Sequence, residues 1–142
     1  MFQKNLRGLG VDIGGTSIRA ACVSKDGIES EIWRIETQRI PTLSDLVRFL
    51  TDCIGKVEKS GGVSAIGIGV PGPYNAHTGL LSKLPNIKGW EAYPLQSAIR
   101  DAFPSLAVSV INDADAAAYG EYFFGTVRGL PDFALLTLGT GL

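Results

Sequence analysis

The stretch Leu9-Gly10-Val11-Asp12-Ile13-Gly14-Gly15-Thr16-Ser17 constrains this chain more than any other. An apolar strand delivers one carboxylate, then two residues without Cβ, then two hydroxyls. Such a glycine pair lets the backbone turn sharply and lets another group come close to it. Two readings follow. In one, Gly14-Gly15 is the turn of a β-hairpin, since Gly-Gly between apolar runs is a strong hairpin signal. In the other, amides freed in the turn, with Thr16 and Ser17, cradle phosphate oxygens. Asp12 then holds a hydrated Mg²⁺ beside them. The two readings are compatible. The longer P-loop pattern is excluded, because no Gly-Lys-Ser/Thr follows at the required spacing.

The rest of the composition narrows the class. With 45% hydrophobic and 19% charged residues in a one-domain length of 142, the chain can build a core and is not a disordered segment. Its net charge of −1, with both signs scattered, argues against the basic stripe of a nucleic-acid binder. No apolar run approaches the roughly 20 residues of a membrane helix. The N-terminus lacks the basic-then-apolar layout of a signal peptide, so a cytoplasmic protein is expected. Cys22 and Cys53 lie far apart in unlike contexts and read as buried free thiols. His77, the single histidine, reads as a surface residue of a polar turn. The sequence stops on a Gly-rich turn directly after an apolar strand, an unusual way to end a domain, so a piece of a larger protein is expected.

Periodicity predicts strands over 8–13, 17–24 and 28–36, with tight turns that imply an antiparallel meander. After Pro41 the pattern changes. Leu43, Leu46, Val47, Leu50, Cys53, Ile54 and Val57 recur at helical spacing. Thr42 and Asp45 form a capping box at the start, and Ser60-Gly61-Gly62 stops the helix. A buried strand over 63–70, ended by Pro71-Gly72-Pro73, then implies a crossover and parallel pairing. Residues 74–90 form a long polar connection whose flanks suit a small hairpin. A short helix follows within 93–103, then a strand over 106–111, an Ala-rich helix from Asn112-Asp113 to about Phe124, and a last strand over 132–138. The predicted fold is a mixed α/β sheet: an antiparallel meander extended by parallel strands, with flanking helices.

In such sheets ligands gather at the carboxyl ends of strands. Asp12 to Ser17, Pro71-Gly72-Pro73, Asn112-Asp113 and Gly139-Thr140-Gly141 all fall there. Asn112-Asp113 has two readings. One is helix capping. The other makes Asp113 a general base on a hydroxyl, with Asn112 bonded to a neighbouring hydroxyl, at a helix start that favours the carboxylate form. Gly139-Thr140-Gly141 is either a plain turn or the second half of a phosphate grip opposite Gly14-Gly15-Thr16. Asp115 reads as a first-turn helix carboxylate and Glu121 as structural.

These motifs, taken in order, resemble those of the ROK sugar kinases, a family that groups bacterial glucokinases and hexose or N-acetylhexosamine kinases with sugar-responsive repressors. Val11-Asp12-Ile13-Gly14-Gly15-Thr16 is similar to the first phosphate motif, and Gly67 to Pro73 to the next strand and turn. Leu84 to Trp90 is similar to the sugar-side loop, Asn112 to Glu121 to an Asn-Asp-Ala-Asn-Ala-Ala-Ala-Leu-Gly-Glu pattern, and Leu136 to Gly141 to the start of the second phosphate motif. The resemblance implies the actin-like, ribonuclease H-like ATPase fold in two lobes. Residues 1–142 would be the N-terminal lobe, and the C-terminal lobe would lie outside this chain.

It further implies Asp113 as the base on a hexose hydroxyl, the 6-hydroxyl being expected, and Asn112, Asn86, Gly72 and Pro73 on the sugar. Asp12, Gly14, Gly15, Thr16, Gly139, Thr140 and Gly141 would serve Mg²⁺ and the phosphates of ATP. Three departures stand out. Ser17 replaces a frequent Lys, Asp115 replaces a common Asn, and the family's Glu-x-Gly-His sugar motif and Cys-rich zinc site are not in this chain. A structural Zn²⁺ is therefore expected only in the second lobe. The expected partners are a hexose and, through an exposed lobe interface, a second copy or another protein; neither nucleic acid nor membrane is expected. An alternative is a sugar-sensing regulatory relative or a truncated remnant without catalysis.

Overall fold

The computed structural model describes residues 6–75, 77–81 and 94–137. Strand β1 (Arg7–Ile13) turns back through residues 14–16 into β2 (Ser17–Ser24). Antiparallel pairing sets Ile13 opposite Ile18 and Asp12 opposite Arg19. The Gly-Gly stretch is thus a hairpin. The predicted third strand is split into β3 (Gly27–Ile28) and β4 (Trp33–Glu36), both paired with β2. The break has a local cause. The Ser30 hydroxyl accepts the Cys22 N–H at 2.9 Å, so a side chain takes the place of a strand carbonyl and the ladder stops.

A 3-10 turn, Thr37–Arg39, leads to helix α1 (Leu43–Glu58). The capping box is present. The Asp45 N–H donates to Thr42 Oγ1 at 3.3 Å, and the Thr42 N–H donates to Asp45 Oδ2 at 3.2 Å. Thr42→Ala is expected to cost about 1 kcal/mol, read as a lower urea midpoint with an unchanged slope; an unchanged midpoint would mean the helix is held by its packing alone. Leu46, Leu50, Cys53 and Val57 are buried, and Leu43, Val47 and Ile54 pack beside them.

Strand β5 (Ala65–Val70) lies parallel to β1, and β8 (Ala107–Asn112) lies parallel to β5. The resulting order is β3-β2-β1-β5-β8, with β4 also on β2. Between β5 and β8 come a two-strand hairpin, β6 (Tyr74–Asn75) with β7 (Leu80–Leu81), and helix α2 (Leu95–Ala102). The Asn75 side chain accepts from the N–H groups of His77 and Thr78 and so shapes the turn. Gln96 ties these parts together: it accepts from the Tyr74 hydroxyl at 2.7 Å and donates to the Val108 carbonyl at 3.0 Å. Helix α3 (Asp113–Phe124) follows β8 without a loop.

The sheet has two unlike faces, because alternate residues point to opposite sides. Leu9, Val11, Ile13, Ile66, Ile68, Val70, Val108 and Val110 form one core with α1 and α2. Gly10, Gly67, Gly69 and Ser109 line a cavity on the other face, beside Ala116 and Tyr119 of α3. Residues 132–137, predicted as a strand, are exposed and unpaired. A strand exists only through a partner's hydrogen bonds, and among the described residues this segment has none. Both cysteines are free and buried. Burial pushes the Cys53 thiol up to about 11. Iodoacetamide at pH 8 is expected to leave Cys53 unmodified until urea unfolds the chain; prompt native labelling would show that α1 opens readily.

Candidate functional site

The hairpin turn is tight. The Gly14 N–H donates to the Ser17 carbonyl at 3.0 Å. A Cβ on Gly14 would stand 2.9 Å from that same oxygen, too close for any side chain. Thr37 pins both sides of the turn: its hydroxyl donates to the Gly14 carbonyl at 2.6 Å, and its N–H donates to the Thr16 carbonyl at 3.0 Å. The N–H groups of Gly15 and Thr16 meet no acceptor among the described residues. Thr16 itself is exposed. Sequence reasoning missed Thr37, because its contact requires β4 to be brought back along β2.

Asp12 stands opposite Arg19 across the hairpin. Both Nε, at 3.1 Å, and Nη2 of Arg19 donate to one Asp12 oxygen, Oδ2. Arg19 was also missed, yet its signal was present. Once Gly14-Gly15 is a hairpin turn, the register that sets Ile13 opposite Ile18 sets Asp12 opposite Arg19.

At the end of β8, Asn112 caps α3. Its Oδ1 accepts from the N–H groups of Ala114, at 2.8 Å, and Asp115, at 3.4 Å. Its Nδ2 donates to the Gly72 carbonyl at 2.9 Å, so the same side chain fixes the Pro71-Gly72-Pro73 turn to the helix. Gly72 has φ +81°, a left-handed conformation that favours glycine there. The capping reading therefore holds for Asn112, whose amide keeps one N–H without a partner among the described residues. Asp113 is exposed in the first turn, with Oδ1 accepting from the Ala114 N–H at 2.9 Å. Asp115 is an exposed first-turn carboxylate, as read from the sequence. Glu121 accepts from the Thr126 N–H at 3.3 Å, a structural contact at the far end of α3.

Close packing seats α3. A Cβ on Gly69 would lie 3.4 Å from the Ala116 Cβ and 3.6 Å from the Asp113 Cα. This contact brings Asp113 over the carboxyl end of the sheet. There a cleft of about 450 Å³ is lined by Asp12, Arg19, Gly69, Asp113 and Thr137, among others. Asp12 and Asp113, far apart in sequence, thus share one cavity. Gly72 is joined to this region through Asn112, whereas Pro73 is exposed and does not line the cleft. Asn86, Gly139, Thr140 and Gly141 lie outside the described residues.

The donor set suits a phosphate chain with Mg²⁺. In the cleft a guanidinium adjoins a carboxylate with one oxygen, Oδ1, free of partners among the described residues. Gly14, Gly15 and Thr16, with two free N–H groups among the described residues and a hydroxyl, follow Asp12 in the hairpin turn but are not among the residues lining that cleft. Among the described residues no three His, Cys, Asp or Glu side chains cluster as a metal cage. Magnesium on a phosphate chain does not require one, since it keeps several waters and takes only one or two carboxylates.

A mixed sheet with an N-terminal glycine hairpin and a carboxylate-led helix over the same strand ends is the layout of the actin-like, ribonuclease H-like ATPase fold. Residues 8–142 match the ROK family, and the chain belongs to that family. It is 36% identical over 134 residues to a glucokinase of Streptomyces coelicolor, covering 94% of this chain and 41% of that protein. It is also 36% identical, over 141 residues, to an N-acetylmannosamine kinase of Escherichia coli, covering 94% of this chain and 45% of that protein. A ROK family glucokinase from Streptomyces griseus, solved with glucose and AMPPNP, superposes with a TM-score of 0.72 at 35% identity, over 87% of this chain and 38% of the other. The chain thus spans less than half the length of these relatives.

Proposed function

We propose that this chain is the N-terminal lobe of an ATP-dependent hexose kinase of glucokinase type, acting on the sugar 6-hydroxyl. The observation that carries this reading is the shared cleft of Asp12 and Asp113 at the carboxyl ends of the parallel strands. The names of the relatives, glucokinase and N-acetylmannosamine kinase, support it. Asp113 accepts the proton of the attacking sugar hydroxyl, as a general base must lie within hydrogen-bond reach of the proton it takes. Asn112 orients that sugar with its remaining amide N–H, and Gly72, Pro73 and Asn86 complete the sugar side. Gly14, Gly15 and Thr16, with Gly139, Thr140 and Gly141, hold the donor phosphates, and Asp12 holds the hydrated cation. Mg-ATP, when bound, supplies the γ-phosphoryl group and part of its charge neutralisation. The chain's residues contribute mainly positioning, which is what phosphoryl transfer demands of a protein.

Such chemistry needs a second lobe to close over the substrates and exclude water. Sugar-dependent ADP release over a hexose panel is the test. The 142-residue chain alone is expected to give none, whereas the chain joined to the C-terminal part of the Streptomyces coelicolor relative is expected to turn over. Turnover by the chain alone would overturn the single-lobe reading. A folded joined protein that binds nucleotide but gives no sugar-dependent turnover would overturn the kinase reading.

The second lobe would also cover an apolar surface. Helix α3 has no buried residue, and Tyr119, Tyr122, Phe123, Phe124 and Phe133 are exposed. Tyr122 lies 5.1 Å from Phe123 and 6.3 Å from Phe133 between ring centroids, so the rings form one patch. The isolated chain is expected to self-associate through it. Sedimentation should show a concentration-dependent rise in mass that a Tyr122→Ser, Phe123→Ser double variant removes; a monomer at all concentrations would refute this.

A further inference from the structure

We infer that Arg19 is a phosphate-binding residue whose partner exchanges: Asp12 without ligand, the anionic phosphate chain of the donor with it. The inference rests on the kinase reading for the identity of the donor. Three observations carry it. First, both bonding nitrogens of Arg19 fall on a single oxygen of Asp12. A fork-on-fork arrangement would engage both carboxylate oxygens and hold the guanidinium firmly. Here Nη1 and Asp12 Oδ1 are left without partners among the described residues.

Second, the pair is open to solvent. The Arg19 side chain is 58% exposed and that of Asp12 45%. An ion pair this exposed contributes little to stability, so breaking it for a ligand costs little. Third, the cleft is short of positive charge. Among its described lining residues Asp12 and Asp113 are acidic and Arg19 is the one cation. A polyanion entering beside two carboxylates requires compensating charge, and a guanidinium is well matched to phosphate oxygens. When Arg19 turns to phosphate, Asp12 is freed for the hydrated cation. One exchange thus prepares both halves of the site.

The test is binding of inorganic tripolyphosphate to the 142-residue chain in EDTA, followed by calorimetry and by the Arg19 Nε–H resonance, with circular dichroism checking the fold of each variant. Wild-type chain is expected to bind saturably and to shift that resonance. Arg19→Gln is expected to weaken binding about tenfold, the loss of one charge-assisted contact. Arg19→Lys should recover part of it. Asp12→Asn, which removes the competing partner, should tighten metal-free binding several-fold when Arg19 is present and much less in the Arg19→Gln background, where only the lost carboxylate charge acts.

Wild-type affinity in Arg19→Gln, loss of binding in Asp12→Asn equal to that in Arg19→Gln, or no saturable binding by the wild-type chain would each overturn the inference. The outcomes separate from those of the kinase reading. Failure of that reading appears as absent sugar-dependent ADP release in the joined protein while tripolyphosphate binding persists. Failure of this inference appears as binding that ignores residue 19.

Discussion

Asp113→Asn in the joined two-lobe protein is expected to lower sugar-dependent kcat by about 10²- to 10⁴-fold, the usual contribution of a positioned general base. The change is nearly isosteric, and an asparagine Oδ1 can still accept from the Ala114 N–H that Asp113 now engages at 2.9 Å. The start of α3 is held by Asn112, which binds two backbone N–H groups and the Gly72 carbonyl. The substitution should therefore spare the fold and the KM for sugar while removing the proton acceptor, the pattern of an interaction made in the transition state. Steady-state assays with glucose, with far-UV circular dichroism as the control, check it. A loss below tenfold in kcat would remove Asp113 from the role of base. A loss carried wholly by KM would make it a binding group.

Ile68→Ala is expected to have the largest effect on stability, about 2–5 kcal/mol. Ile68 is 1% exposed and lies at the centre of the sheet. It pairs with Val11 on one side and Val110 on the other, so its side chain closes a row across β1, β5 and β8. The face it occupies packs under α1 and α2, whose buried residues share its core. Loss of that much from a domain whose total stability is on the order of 5–15 kcal/mol would move the urea midpoint sharply. Ile68→Val should cost about 0.5–1.5 kcal/mol by the same measure. A small effect of the alanine variant would mean that α1 settles onto the sheet and fills the gap.

Much of the fold was legible because its signals are local. The helical recurrence from Leu43 to Val57, capped by Thr42 with Asp45, depends only on neighbours within a few turns. The hairpin at Gly14-Gly15 is equally local, and its register alone sets Arg19 opposite Asp12. The two misread strands failed for different reasons. Over 28–36 the apolar pattern continues, but the Ser30 hydroxyl replaces a ladder acceptor and interrupts it. Over 132–137 the composition suits a strand, but no partner lies alongside among the described residues.

By itself, the sequence determined the amphipathic helix and the ROK family, and offered the hairpin and the capped start of α3 as readings that the structure then bore out. Each is written in spacing, turn chemistry or an ordered set of motifs. Only the tertiary structure decided that Asp12 and Asp113 open into one cleft, that Gly69 seats α3 on the small-residue face, and that Asn112 binds the Gly72 carbonyl. The physical reason is that parallel pairing of β1, β5 and β8 is made by backbone hydrogen bonds, which carry no mark of the side chains they bring together. Which strand ends become neighbours is settled by the packing of α1 and α2 on one face of the sheet and α3 on the other, over separations that no local pattern records.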